Sequence, residues 1–143
     1  MKFWSIDVSN LYTNISPDEG IEEVRNFLLE REDKAVPTEF IVRMLEQVLK
    51  LNIFEFDKQL FLQKIGTAMG TVCDPPYANT FMDKIDKLLR TLAKNILKND
   101  EDPIRLFKRI LDYIFIIWQG TFEELQTFLK EMNSLHPTIK FTS

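Results

Sequence analysis

The stretch "RILDYIFIIW", Arg109 to Trp118, decides how the rest of the chain is read. Ile110 and Leu111 lead in, and Ile114 to Trp118 lead out as an unbroken apolar run. Asp112, next to Tyr113, stands where the chain turns. Two short apolar runs around a turn residue predict a β-hairpin. The Asp has two readings. It is a common turn residue, because its side chain bonds nearby backbone. Held at a rigid strand end, it is also a hard-oxygen ligand for a divalent cation.

A second carboxylate fits the same description. Asp7 lies in "SIDVSNLYTN", after the alternating residues Phe3, Trp4 and Ile6, which with Val8 predict a strand over Lys2 to Val8. If the two strands are neighbours, the carboxylates meet. Two such ligands suit Mg²⁺ that keeps waters and substrate phosphates. A pair of ions held this way stabilises both the attacking and the leaving oxygen of a phosphoryl transfer. Spacing alone favours the plainer reading, since Asp is frequent at turns and strand ends.

Composition bounds the alternatives. The chain has 143 residues, 45% apolar and 28% charged, with twelve Phe, which suits a soluble domain with a sizeable core. The longest apolar run, Ile114 to Trp118, is far short of the ~20 residues a membrane helix needs, so no membrane partner is expected. Met1 to Asp7 lacks the apolar core of a signal peptide. One Cys and one His exclude a structural zinc site built from this chain alone. A net charge of −4 is a poor balance for a free-standing nucleic-acid binder, so such a role needs a local basic patch or further segments.

Outward from the hairpin, Ser16-Pro17-Asp18-Glu19 reads as a helix start, with Ile21, Val24, Leu28 and Leu29 as its apolar face. A second start at Pro37-Thr38-Glu39 precedes Phe40, Ile41, Met44, Leu45, Val48 and Leu49 at helical spacing. Ile53 to Phe56 and Leu60 to Leu62 flank "DKQ" as a hairpin. "GTAMGTVCDPPYANTFM", Gly66 to Met82, is a shaped loop feeding a helix expected from about Tyr77 to Lys98. "NDEDP", Asn99 to Pro103, is a turn. Thr121 to Leu135 repeats as an amphipathic helix with Phe122, Leu125, Phe128, Leu129 and Met132 inward, and Pro137 to Thr142 alternates as a last strand. The order β-α-α-β-β-α-β-β-α-β predicts an α+β fold, an antiparallel sheet with helices packed on one face.

Other features are weaker. "GTAMG", Gly66 to Gly70, presents backbone N–H groups in the manner of a phosphate or base site, but lacks the ending of a P-loop, and a structural turn is the commoner outcome. Lys84, Lys87, Arg90, Lys94 and Lys98 fall together on one helix face, a solvated stripe more often than a nucleic-acid track. His136 reads as a loop residue and Cys73 as a small packed one.

Four stretches occur in one order: "IDVSNLYTNI", "GTAMGTVCDPPYANTFM", "LDYIFIIW" and "MNSLHPTIKF". Together they resemble the reverse transcriptase palm of Penelope-like retroelements, whose pattern runs "FDVxSLYTNIP", "GTAMGTxxAPxYANLFM", then "RYIDDIFxIW". The resemblance covers almost the whole chain. It implies a polymerase palm and RNA-directed DNA polymerase chemistry with two Mg²⁺ (or Mn²⁺) ions. The implied partners are an RNA template, a DNA primer and dNTP, in the nucleus or cytoplasm. Asp7 matches the first metal-binding Asp of motif A, with Val8 offering a backbone carbonyl to the same metal. Tyr12 matches the position that packs under the incoming sugar. Met69 and Gly70 match the motif B turn lining the nucleotide site, followed by Pro75. Asp112 matches the first Asp of the motif C hairpin.

The departures matter as much. Tyr113 stands where the family has its second Asp, and Ile110 where it has Tyr. Asp74 replaces a small residue, which implies a carboxylate able to disturb the loop or repel a nucleotide phosphate. Residues 1–143 correspond to motifs A, B, C and part of D, so the resemblance implies a truncated palm without fingers, thumb or GIY-YIG nuclease. The expectation is a copy with little polymerase activity, exposed apolar patches and a tendency to self-associate. The competing expectation is a non-catalytic palm-fold remnant, or a binding or assembly module.

Overall fold

Alternation along Lys2–Ser9 makes a strand, with Ile6 and Val8 buried and Phe3 and Ser5 exposed. The computed structural model describes residues 1–67, 69–97 and 101–143. In chain order these make β1 (Lys2–Ser9), α1 (Leu11–Asn14), α2 (Pro17–Glu30), α3 (Thr38–Lys50), β2 (Ile53–Phe56), β3 (Gln59–Leu62) and α4 (Asp74–Leu97). Then come β4 (Ile104–Ile110), β5 (Tyr113–Trp118), α5 (Phe122–Glu131), a 3-10 turn (Met132–Ser134) and β6 (Lys140–Thr142). They fall into two compact units: Met1–Leu11 with Asp83–Ser143, and Tyr12–Met82. Ala68, in "GTAMG", and Lys98, Asn99 and Asp100, at the expected helix end and turn, lie outside the described residues.

The first unit holds a four-stranded antiparallel sheet in the order β4-β5-β1-β6. One face is dry. It carries Ile6, Val8, Ile114, Ile116 and Trp118, and is covered by helices that bury Ile85, Leu89, Ala93, Leu125 and Phe128. The Trp118 and Phe128 rings meet at 5.3 Å. The other face is open, with Phe3 and Phe115 stacked at 6.3 Å. This is the expected α+β arrangement. Capping starts α5: Thr121 accepts from the Glu124 N–H at 3.2 Å, and Glu124 accepts from the Thr121 N–H at 2.7 Å. Phe122, expected inward, is exposed. Leu125, Phe128 and Met132 set the buried stripe, and Phe122 falls on its edge above half-buried Leu129. The last strand is shorter than expected, because His136 Nδ1 accepts from the Thr138 and Ile139 N–H groups at 3.3 and 3.2 Å and ties the preceding residues into a loop. Asn133 closes the β6 edge like a missing strand: its Oδ1 accepts from the Phe141 N–H at 2.7 Å and its Nδ2 donates to the Phe141 carbonyl at 3.1 Å.

In the second unit, α2 and α3 bury Ile21, Val42 and Leu49. Leu29, on the expected apolar face of α2, and Phe40, Met44 and Val48, in the apolar repeat of α3, are exposed. Met44 and Val48 line an open apolar groove with Val24, Phe27 and Pro76. The β2–β3 hairpin turns at Asp57 and Lys58, both at positive φ (49° and 60°), the pattern of a type I′ turn. Its apolar residues, Phe54 stacked on Phe61 at 5.6 Å among them, are exposed.

Tyr77 is buried in this unit, and Gly20 makes room for it: a Cβ there would lie 1.9 Å from the phenol oxygen. Neither the Tyr77 nor the Thr67 hydroxyl makes a hydrogen bond of ordinary geometry among the described residues. Burial pushes the Tyr77 phenol up to about 12, against a smaller lowering by the Thr67 hydroxyl. Between the ordinary tyrosine value near 10 and that value, the unfolded chain gives up the proton and the folded one keeps it. Stability therefore falls as pH rises through this window, by on the order of 2 kcal/mol in full. Urea unfolding across the window, with Tyr77→Phe as reference, checks this. The variant is expected to lose that part of the alkaline decline.

Candidate functional site

The hairpin that opens the sequence reading is closed by two residues, Leu111 and Asp112, since Ile110 pairs with Tyr113. Leu111 has φ +52°. Asp112 is not among the positive-φ residues, so the turn follows the type II′ pattern, whose first position favours Gly. A leucine there is strained. The register of β1 against β5 puts Asp7 directly opposite Tyr113. One step on, the Val8 N–H donates to the Asp112 carbonyl at 2.7 Å. The N–H and C=O of one strand residue point to the same side, so the Val8 carbonyl lies along this edge too. Cross-strand partners share a face, so Asp7 and Tyr113 stand together on the open side of the sheet. Strand spacing and rise put the Asp7 and Asp112 Cα atoms roughly 6 Å apart.

Asp7, Val8 and Asp112 are thus neighbours in the backbone of one unit. Among the described residues, no group of three or more His, Cys, Asp or Glu side chains gathers as metal ligands. Tyr113, the cross-strand partner of Asp7, is 61% exposed.

Tyr12, Met69 and Gly70 belong to the second unit. There the glycine loop lies on the backbone that follows β1: the Thr67 N–H donates to the Tyr12 carbonyl at 2.7 Å. Gly66, at φ +76°, touches Thr13, whose Cα would be 2.6 Å from an added Cβ. Gly70, at φ +108°, faces open space, and Met69 is 75% exposed. Tyr12 is half-buried.

Asp74 does not disturb its loop. It is buried, accepts from the Thr71 N–H at 2.6 Å and from the Thr71 hydroxyl, and begins α4. Its carboxylate closes the loop against the positive end of the helix rather than disturbing it. Pro75 and Pro76 fit the first turn of that helix, which explains its start ahead of Tyr77. Three residues of the basic stripe on α4 make local contacts. Lys87 pairs with Asp83 at 2.9 Å, Lys94 approaches Asp102 at 3.7 Å, and the Arg90 guanidinium lies 4.8 Å from the Phe107 ring centre.

One pair went unseen in the sequence. Arg109 Nε donates to both carboxylate oxygens of Asp86, at 2.9 and 3.1 Å, and Nη1 donates to the Leu111 carbonyl at 3.1 Å. Burial pushes the Asp86 carboxyl above the usual range, against the pull of Arg109. A charged residue inside an apolar hairpin is the signal that could have pointed to it.

No protein-family model matches the sequence, and no curated protein does. Among solved structures, the chain is similar to apo telomerase from Candida tropicalis truncated from its C-terminal domain, with a TM-score of 0.66 at 12% identity. The match covers 98% of this chain and 30% of the telomerase chain. A likeness at that identity carries the fold, and the fold is polymerase-like: an antiparallel sheet with helices on one face.

Proposed function

We propose that the chain is the palm of a reverse-transcriptase-type nucleotidyltransferase, of the Penelope-like kind, with Asp7 and Asp112 as its metal-binding carboxylates. The observation that carries this is the β1–β5 register, which brings the two motif aspartates to adjoining positions. The telomerase likeness, to part of a reverse transcriptase-related enzyme, supports it at the level of fold. Asp7 and Asp112 offer hard oxygens only, which suits Mg²⁺ or Mn²⁺ with few protein ligands, and Asp7 stands on the open face of the sheet. When bound, two such ions stabilise the attacking and leaving oxygens of phosphoryl transfer. Asp7 and Asp112 would hold them, with the Val8 carbonyl on the same edge. By the same resemblance, Tyr12, Met69 and Gly70 of the second unit are proposed as nucleotide-binding residues. The reaction joins a primer 3′-oxygen to the α-phosphorus, breaks the bond to the β-phosphate and releases pyrophosphate, the hydroxyl proton passing to solvent. An RNA template, a DNA primer and a nuclear or cytoplasmic setting belong to the same proposal.

Tyr113 beside Asp7 favours a second reading, a palm fold retained for binding without catalysis. A Mn²⁺ titration followed by electron paramagnetic resonance separates the two. The first reading expects a saturable site in the unmodified chain that weakens about tenfold or more in Asp7→Ala. Equal binding in both chains, or no saturable site, leaves the second.

A further inference from the structure

We propose that Arg109 is a positioning residue for the Asp112 turn: anchored by Asp86 on α4, its guanidinium holds the Leu111 carbonyl and keeps the left-handed turn that presents Asp112. Three observations meet here. Leu111 sits at φ +52°, a conformation that a bulky side chain adopts only when its surroundings impose it. By contrast, the β2–β3 turn uses Asp57 and Lys58, which carry short or flexible side chains, at a solvent-exposed tip. The Arg109 and Asp86 side chains are only 10% and 17% exposed, so the pair is largely shielded from water. The fork of Arg109 makes two bonds to Asp86 and a third to Leu111, and its planar geometry fixes one relative to the other. A rigid helix is thereby tied to the one turn whose backbone must stay in place for the Val8 N–H to reach the Asp112 carbonyl.

Lysine keeps the charge and the stem, but cannot serve a bidentate carboxylate and a carbonyl with one fixed plane. Arg109→Lys therefore tests position apart from charge. The reporter is the Val8 amide, whose exchange with solvent depends on the bond to Asp112. In metal-free buffer, Arg109→Lys is expected to speed Val8 exchange about tenfold more than that of the buried strand amides of Ile114 and Ile116. Adding Leu111→Gly, which removes the side chain that makes the turn costly, is expected to return Val8 exchange to within about threefold of the unmodified chain. Asp86→Asn gives the same readout should Arg109→Lys fold poorly. Val8 exchange that rises only in step with the core amides would overturn the proposal, because a merely stabilising ion pair affects all of them alike. The purpose of the device rests on the proposed metal pair, but the readout does not. A clamp seen in a chain without a Mn²⁺ site sinks the metal reading and keeps the clamp.

Discussion

Replacing Tyr113 by Asp is expected to raise the Mn²⁺ affinity of the Asp7–Asp112 edge about tenfold, equivalent to about 1.4 kcal/mol. Tyr113 is directly opposite Asp7 on the open face, so a carboxylate there joins the existing pair without rebuilding the turn. A unit charge about 4 Å from a divalent ion in water-like surroundings contributes about 2 kcal/mol, and repulsion from the two resident carboxylates offsets part of that. The ring is mostly exposed, so its loss leaves no cavity, and the melting temperature should move by only a few degrees. Tyr113→Asn separates charge from bulk: it should leave affinity close to that of the unmodified chain. Equal affinity in the Asp and Asn variants would mean that position 113 does not face the ion. The metal dissociation constants of the three chains, measured at one ionic strength, settle it.

The second large effect is on folding. Gly66→Ala is expected to cost about 3 kcal/mol, against about 1 to 2 kcal/mol for Gly70→Ala. Both glycines have positive φ, so both pay the strain of placing a side chain there. Only Gly66 also presses on backbone: its Cβ would sit 2.6 Å from the Thr13 Cα and 2.7 Å from the Thr13 carbonyl oxygen. Backbone cannot step aside as a side-chain tip can, so the Thr67 N–H to Tyr12 carbonyl bond should be lost as well. Urea denaturation of the two variants gives the ordering directly. A Gly66 variant no less stable than the Gly70 variant would show that the loop does not rest on Thr13.

These two sites divide along a physical line. The stretch Arg109–Trp118 was legible as strand, turn and strand because apolar runs around a turn residue are a local pattern; the strands are Ile104–Ile110 and Tyr113–Trp118, with Leu111, read as strand lead-in, in the turn. The hairpin after Leu49 and the helix after Thr121 were legible for the same reason. The Asp7 and Asp112 candidates came from position and from resemblance. Their adjacency did not follow from spacing, because register between distant strands is set by the burial of whole faces. Ile6, Val8, Ile114, Ile116 and Trp118 all enter one core, and a one-residue slip of β1 against β5 would turn Ile6 and Val8 to the open face.

Three other features were closed to the sequence. Asp74 looked like a disturbing charge, but a helix start built from Asp-Pro-Pro gives its carboxylate donors at Thr71. Met44 and Val48 have helical spacing but border an open groove, and Phe40 is exposed, because periodicity shows that a face is apolar without showing that anything covers it. Arg109 and Asp86 are far apart in the chain and share no motif, and α4 packing on the sheet is what brings them together. The sequence by itself determined most of the elements, α1 excepted, the α+β class and the candidate carboxylates, since periodicity, turn chemistry and motif order are written in neighbouring residues. Only the tertiary structure decided that Asp7 faces Tyr113, that Leu111 is held left-handed beside Asp112, and that a shielded ion pair from α4 reaches that turn. Those depend on close packing between distant segments, where every side chain on a face constrains the alignment of the rest.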